Sequence, residues 1–346
     1  MTSSLNTALT ELSDIADILY NKDAHYGQIF EASRRLRDLL QIACNKDYMD
    51  RIEDDTIYTS SGKAIGIKWA SLCVEDIMRT KKFCNGIFMA IEKLKAENKE
   101  KVHIIYAGTG PFATLIIPLI SRYSPEEVSF TLLEINPESF EGLTNTIQYF
   151  SAQDYVTEMT LCDAIDYEIP KNITVDILLS ETMMHGLKSE QQVAICCKLL
   201  SQIENDVILI PEEVDLNLLA VHSDKRTIFK QQMNGDLEYF KRLGNLFTFN
   251  KEIIKEHQET FLSAFPNYKF PEISLPIPND TNLGFDELSI ETHIKVYEDQ
   301  VLEIDESSLT VLLKLMPLNA MLQTVKILHA HYVCGEHPGL QCRLEN

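Results

Sequence analysis

The sequence predicts a protein of the α/β class, with a helical region before the parallel sheet and a mostly β, barrel-like region after it. Three observations lead to this prediction. Apolar residues recur at helical spacing over residues 2–46. From Val102 to Val221, β-rich runs alternate with helical stretches, which is typical of a parallel sheet covered on both faces. Beyond about Ser223 this alternation stops and further β-rich runs follow.

The elements of the α/β segment can be read in order. An apolar run that ends in a strand-breaking residue predicts a strand, and a longer stretch with helical apolar spacing predicts a helix. Proline near the start of two stretches suits a first helical turn. The predicted strands are "VHIIYAG", "VSFTLLEIN", "VTEMTLCDA" and "VDILLSE", and the predicted helices are "PFATLIIPLISRY", "PESFEGLTNTIQYF" and "SEQQVAICCKLLSQI".

The chain length favours more than one unit, because 346 residues exceed a single small core. We expect an N-terminal helical region at 1–66, an α/β domain at 67–221 and a mostly β domain at 222–346. The last of these carries a helical insertion, at about Lys225 to Arg242. The N-terminal helices would cover the site or form a dimer interface, since amphipathic helices bury their apolar face.

Composition excludes several classes of protein. The formal net charge of −21 argues against a nucleic-acid binder, which needs a basic face, and is compatible with a cationic substrate or simply with solubility. The N-terminus lacks the pattern of a signal peptide, and the apolar runs are too short to span a bilayer. Eight cysteines without a disulfide pattern suggest free thiols. We therefore expect a cytoplasmic protein with no membrane or nucleic-acid partner.

Polar or flexible residues stand at the ends of three predicted strands. Gly108 and Gly110 follow the first strand, where a close backbone approach suits a ligand. Glu134 ends the second strand, where a carboxylate can accept hydrogen bonds from ribose hydroxyls. Asp163 ends the third strand and could approach an adenine edge. Because ligands of parallel α/β sheets bind at the carboxyl ends of the strands, these residues form a candidate site.

This arrangement resembles the class I S-adenosylmethionine-dependent methyltransferases, which have a Rossmann-like domain. The first motif of that family is matched only in part, since Ile104 and Tyr106 stand at its acidic and first glycine positions. The resemblance implies S-adenosyl-L-methionine as cofactor. The residues that it implies for cofactor binding near the strand ends are Ala107, Gly108, Gly110, Glu134, Asp163 and Ala164.

A more specific resemblance is to the protein arginine N-methyltransferases. "EDIMRTKKF" is similar to their D-x-x-R-T-x-x-Y helix, which implies that Arg79 binds the cofactor carboxylate. "SETMMHGLKSE" is similar to their double-glutamate loop, with Glu181 and Glu190 nine positions apart. Two carboxylates can hold a guanidinium by paired hydrogen bonds and present its free nitrogen to a methyl donor. His185, inside this loop, is a further candidate for substrate binding.

Departures from the family pattern bear on the acceptor. The tryptophan after Ser-Glu is Thr182 here, and Thr292-His293 is followed by Ile294 where the family has tryptophan. These differences favour free L-arginine or a related small guanidino compound, with protein arginine, another nitrogen or oxygen acceptor, or a non-catalytic scaffold as alternatives. We expect a homodimer. The cluster "HAHYVCGEHPGLQC" fits no standard zinc pattern, so no metal site is predicted.

Overall fold

The computed structural model describes residues 2–46, 48, 55–232, 238–278, 284–318 and 327–345. The helices are α1 (Thr2–Tyr20), α2 (Tyr26–Cys44), α3 (Ile67–Leu72), α4 (Ile77–Ala96), α5 (Pro137–Tyr149), α6 (Gln192–Leu200), α7 (Ser223–Gln232) and α8 (Lys251–Ala264). The strands are β1 (Ile57–Thr59), β2 (Gly62–Ala64), β3 (Val102–Ala107), β4 (Val128–Glu134), β5 (Val156–Leu161), β6 (Ile177–Ser180), β7 (Ile208–Ile210), β8 (Glu213–Val221), β9 (Phe240–Asn250), β10 (Ile273–Pro276), β11 (Glu287–Tyr297), β12 (Gln300–Leu302), β13 (Leu313–Pro317), β14 (Ile327–Val333) and β15 (Gly339–Glu345).

A five-stranded parallel sheet lies at the centre of the fold, in the order β5-β4-β3-β6-β7. Strands β3, β4 and β6 are buried along their whole length, which explains why they read as continuous apolar runs. The chain moves outward from β3 to β5 and then returns to place β6 beside β3. This reversal makes a crevice at the carboxyl edge of the sheet, and it confirms the predicted parallel α/β core.

Strand register brings the predicted strand ends together. Ala107 of β3 pairs with Leu133 of β4 and with Ser180 of β6. Glu134, one residue further on β4, pairs with Leu161 of β5. The loops that follow these strands therefore start at one edge, although they are far apart in the sequence.

The predicted helix after β3 is wrong. Residues 111–116 form turns, and only Ile117–Ser121 form a short 3-10 helix. Two local features explain the difference. Ala113 has a positive φ of 45°, which a helix does not accommodate, and Pro118 has no N–H to donate. Apolar spacing alone does not distinguish such a packed irregular segment from a helix.

The two N-terminal helices pack on the α/β core. Helix α1 lies against α2, α4 and the 3-10 helix, and α2 lies against α5. A buried lysine fixes this docking, because Lys81 Nζ of α4 donates to the carbonyl oxygens of Ile18, Leu19 and Asn21 at 3.2, 2.6 and 2.6 Å. A cation at the carbonyl end of a helix is favourable. Within the described ranges, none of the helices has the length and apolar character needed to cross a bilayer.

We predict that Lys81→Met destabilises the protein by about 1–3 kcal/mol, because three carbonyl groups, of which that of Leu19 is buried, lose their donor. Urea denaturation measures the change. Lys82→Met is the matched control, since Lys82 is the next residue of α4 and only half-buried, and it should unfold near the wild-type midpoint. Equal midpoints for Lys81→Met and the wild type would contradict the anchoring role.

Two antiparallel sheets follow the parallel core. One has the order β12-β11-β8-β9, with β13 also paired to β11, and the other has the order β10-β14-β15. Phe247 of β9 stacks on Tyr332 of β14 with ring centroids 4.6 Å apart, which links the two sheets. Strand β8 belongs to the first antiparallel sheet, although it lies within segment 67–221. The mostly β character is thus present, and the barrel-like closure stays a prediction.

The helices of this region differ from the prediction. The expected helix from Lys225 to Arg242 is wrong at its end, because α7 stops at Gln232 and β9 begins at Phe240; residues 233–237 lie outside the described part of the chain. Helix α8 was not predicted. It begins after Asn250, whose side chain accepts the N–H of Ile253 at 2.9 Å. An asparagine N-cap before an amphipathic stretch is the signal that identifies this helix.

Candidate functional site

A cavity of about 820 Å³ opens at the carboxyl edge of the parallel sheet. This is in the size range of small-molecule sites. Nine of the ten residues that the sequence singles out line the cavity, namely Arg79, Gly108, Gly110, Glu134, Asp163, Ala164, Glu181, His185 and Glu190. The tenth, Ala107, is buried as the last residue of β3 and is not among the lining residues.

The glycines after β3 meet a steric and a conformational requirement. Gly108 and Gly110 have positive φ values of 77° and 63°, which glycine adopts at little cost. A Cβ at Gly108 would overlap the side-chain methyl group of Thr182, so the loops after β3 and β6 are in close contact. A Cβ at Gly110 would be in ordinary van der Waals contact with Ala70, at 3.9 Å. Both glycines line the cavity, so the turn exposes its backbone to a ligand there.

Glu134 closes the second strand and is buried. Its Oε2 accepts the N–H of Gly110 at 2.8 Å, and its Oε1 accepts the N–H of Asn136 at the same distance. Burial raises the pKa of Glu134, and the N–H groups of Asn136 and Gly110 counteract this effect. A carboxylate has about four acceptor positions. Glu134 can therefore accept further hydrogen bonds from a ligand hydroxyl while holding the glycine turn in place.

Asp163 marks the end of the third strand. Its carboxylate accepts Gln191 Nε2 at 3.1 and 3.3 Å and the N–H of Ile165 at 3.2 Å. Burial raises the pKa of Asp163, while the Gln191 contact lowers it. Ala164, next in the chain, also lines the cavity. This corner is thus formed by a half-buried carboxylate that ties the β5 loop to the start of α6.

Arg79 and Glu181 form an ion pair inside the cavity. The Nη2 of Arg79, one turn into α4, contacts the Oε2 of Glu181, the residue after β6. The side chains are only 11% and 6% exposed. The other oxygen, Oε1 of Glu181, is buried and has no hydrogen-bond partner among the residues that the structure describes. A buried carboxylate oxygen that lacks a donor is costly, so this oxygen is suited to accept one from a ligand.

Glu190 lies at the far end of the same loop and is 6% exposed. Burial raises the pKa of Glu190 to about 7, and the charges of Arg79 and Lys63 lower it to a smaller extent. Removal from water disfavours the ionised form of a carboxyl group. A cationic ligand would reverse this cost. Glu190 is therefore a second buried acid that a guanidinium would stabilise in its charged form.

The loop between the two glutamates is held in a sparsely populated conformation. Gly186, Leu187 and Ser189 all have positive φ values, of 73°, 50° and 69°. The second and third of these are unfavourable for residues with a side chain. Contacts to the antiparallel sheets compensate: the Gly186 N–H donates to Thr292 Oγ1 at 2.6 Å, and Tyr332 Oη donates to the Leu187 carbonyl at 2.7 Å. The loop is thus fixed from two sides.

His185 is half-buried between the glutamates and faces the cavity. Burial and the charge of Lys188 lower the pKa of His185, while a hydrogen bond to the Ser308 backbone raises it. Ser308 is fixed by the N-cap of α4, because Asp76 Oδ2 accepts its N–H at 2.8 Å and its hydroxyl at 2.7 Å. The loop after β12 therefore covers the side of the cavity near His185.

A strap formed by residues 55–75 covers the other side. It contains the β1–β2 hairpin and α3. The Asp55 carboxylate holds the strap, since it accepts the N–H of Ile67 at 3.0 Å and Asn136 Nδ2 at 3.1 Å. The Lys63 N–H donates to the Ser189 carbonyl at 2.8 Å. The sequence analysis expected an N-terminal helical region over 1–66, so it missed the β1–β2 hairpin and these contacts.

Gln192 is another residue that sequence reasoning missed. Its amide oxygen accepts the N–H and the hydroxyl of Thr182 at 2.9 and 3.0 Å, and its Nε2 donates to the Ser180 carbonyl at 2.9 Å. This amide fixes the backbone on both sides of Glu181. A glutamine at the start of an apolar helix, in "QQVAICC", is the signal that could have identified it.

The C-terminal histidine and cysteine cluster serves the small antiparallel sheet. His329 contacts Ser274 Oγ at 2.9 Å through Nδ1 and Glu345 Oε2 at 2.8 Å through Nε2. Cys334 is buried and His337 is exposed. Among the residues that the structure describes, no group of three or more His, Cys, Asp or Glu side chains is arranged to hold a metal ion. All eight cysteines are free thiols.

No protein-family model matches the chain, and no curated protein sequence matches it. Among solved structures, the chain is similar to the Trypanosoma brucei PRMT1 enzyme-prozyme heterotetrameric complex with AdoHcy. The identity is 12% and the TM-score is 0.48, over 79% of this chain and 96% of that chain. At such values the function has to be argued from the side chains of the cavity.

Proposed function

We propose that the protein is an S-adenosyl-L-methionine-dependent methyltransferase that transfers a methyl group to a guanidino nitrogen, with free L-arginine or a related small molecule as acceptor. The observation that carries this proposal is the pair of buried carboxyl groups in one cavity. Glu181 has one oxygen without a partner in the described part of the chain, and Glu190 is buried enough to raise its pKa to about 7. A planar cation with several N–H donors is the ligand that satisfies both.

The two glutamates would bind and orient the acceptor. Paired hydrogen bonds donated by a guanidinium to carboxylates fix its plane and hold its charge away from the nitrogen that reacts. Because the loop is held rigidly by Thr292 and Tyr332, that orientation needs little further ordering. A guanidinium is a weak nucleophile, so positioning and electrostatics supply most of the catalytic effect.

The other half of the cavity fits the cofactor. Arg79 has N–H groups beyond the one on Glu181, and these suit the carboxylate of an amino-acid moiety. The glycine turn exposes its backbone to the cavity, and Glu134 has acceptor positions for ribose hydroxyls. When bound, S-adenosyl-L-methionine supplies an electrophilic methyl group. Arg79 touches Glu181, so the cofactor and acceptor halves of the cavity adjoin.

We predict that Arg79→Lys weakens binding of S-adenosylhomocysteine by about 10- to 100-fold. Lysine keeps the charge but loses the fork of N–H groups that matches a carboxylate. Titration calorimetry measures the dissociation constant. Arg34→Lys is the matched control, because Arg34 forms only an exposed pair with Glu31. Wild-type affinity in Arg79→Lys would contradict the cofactor role of Arg79.

The acceptor is tested by incubation of the protein with labelled cofactor and a panel of guanidines, amines and phenols, followed by mass spectrometry. Methylated L-arginine is the expected product. Methylation of a phenol or amine in place of arginine would favour a different acceptor class on the same fold. If S-adenosylhomocysteine does not raise the melting temperature, this result favours a non-catalytic scaffold, because a ligand that binds only the native state must stabilise it.

A further inference from the structure

Lys63 is a basic residue of the cavity that the proposed function does not yet use. Two basic side chains, those of Arg79 and Lys63, are among its described lining residues. Arg79 pairs with Glu181. Within the described ranges of the chain, no carboxylate forms an ion pair with the ammonium of Lys63. The acids that line the cavity around it are already engaged or belong to the proposed guanidinium site.

Lys63 is fixed beside the second glutamate. Its backbone lies next to Glu190 in a parallel bridge, and its N–H donates to the Ser189 carbonyl at 2.8 Å. Its charge contributes to lowering the pKa of Glu190 against the larger effect of burial. The ammonium therefore acts on the acceptor half of the cavity without being neutralised there.

A ligand whose only charged group is a guanidinium does not match a site that contains the Lys63 ammonium. A ligand that offers only positive charge would be repelled by Lys63 and would leave that cation without a partner. An acceptor that also carries a carboxylate supplies the missing negative charge, and an ammonium–carboxylate hydrogen bond is among the stronger polar contacts. Trp69 also lines the cavity and is 59% exposed, so it offers an apolar surface to the methylene chain between the two charged ends.

We propose that the acceptor is a free guanidino acid whose carboxylate is bound by Lys63. This inference rests on the proposed guanidino methyltransferase function and adds the recognition of a second charged group. It distinguishes a free amino acid from a peptide-borne arginine, because an internal arginine residue has no carboxylate of its own. Lys63 thereby acts as a specificity residue.

The test compares L-arginine with L-argininamide, which has the same length and guanidinium but a neutral amide in place of the carboxylate. We expect the wild type to favour L-arginine at least ten-fold in kcat/KM. In Lys63→Met the ratio of the two kcat/KM values should fall to about one. Lys63→Arg keeps a cation and should retain most of the preference. Lys171→Met is the control, because Lys171 is exposed and is not among the lining residues.

Each other outcome counts against the inference in a recognisable way. Equal kcat/KM for both acceptors in the wild type, or efficient methylation of a peptide with an internal arginine, would overturn carboxylate recognition and leave guanidino methylation standing. A raised KM for the cofactor in Lys63→Met, with an unchanged acceptor ratio, would assign Lys63 to the cofactor and overturn the proposal. Methylation of neither guanidine by the wild type would overturn the proposed function itself, together with this inference.

Discussion

Glu181→Gln is expected to lower methyl transfer to arginine by at least about 100-fold while S-adenosylhomocysteine still binds. The Oε1 of Glu181 is buried and has no partner within the described ranges, and its Oε2 contacts Arg79. A glutamine can keep its oxygen on Arg79, but it then places an NH₂ group where the guanidinium needs an acceptor. Truncating one member of a buried, hydrogen-bonded charge pair costs several kcal/mol, which sets the scale of the loss.

Single-turnover kinetics with saturating cofactor and calorimetry with S-adenosylhomocysteine measure the two halves of this prediction. Retained cofactor affinity within about three-fold shows that the variant is folded. Glu204→Gln is the control, since Glu204 is an exposed residue before β7. Wild-type turnover in Glu181→Gln would show that the acceptor is not held by this carboxylate.

The sequence predicts the part of the site that lies at the strand ends, because local patterns identify those strands. Strands β3, β4 and β6 are short, mostly apolar runs; β3 is followed by Gly108, β4 ends in Glu134, and β6 is followed by Glu181. Such a pattern needs no knowledge of the rest of the fold. Because parallel strands end at one edge, Gly108, Glu134 and Glu181 had to lie near one another once the alternation was recognised.

The contacts that shape the loop between Glu181 and Glu190 could not be predicted in this way. Gly186 and Thr292 are 106 residues apart, and Leu187 and Tyr332 are 145 residues apart. A hydroxyl that meets a backbone group over such a separation leaves no period or spacing in the sequence. The position of Lys63 beside Glu190 likewise depends on the strap, which pairs with the glutamate loop in the fold. This proximity cannot be predicted from the sequence.

The ion pair between Arg79 and Glu181 connects the sequence resemblance with the contacts in the structure. The sequence resemblance assigned Arg79 to the cofactor and Glu181 to the acceptor as separate roles. The structure places their side chains in contact at the centre of the cavity. Helix α4, which carries Arg79, is also tied through Asp76 to the loop that carries Ser308. One helix end therefore organises both halves of the site.

Glu190→Gln is expected to make the unliganded protein more stable at pH 8 while impairing catalysis. Burial raises the pKa of Glu190 from 4.5 to about 7 in the folded state. A group with a raised pKa stabilises the fold fully below its unfolded value, and this contribution is lost as the pH rises through about 7. At pH 8 the ionised acid thus destabilises the fold, by up to about 3 kcal/mol. Thermal denaturation at pH 5 and pH 8 measures the difference.

The catalytic half of this prediction follows from the same titration. If the ionised form holds the guanidinium, kcat/KM for arginine in the wild type rises with pH and levels off above about 7. Glu190→Gln should lose that step and be at least about 100-fold slower at pH 8. Glu100→Gln, at an exposed position, is the control for both measurements. A structural acid that takes no part in binding would give the stability change without the loss of the pH step, and that combination would remove Glu190 from the acceptor site.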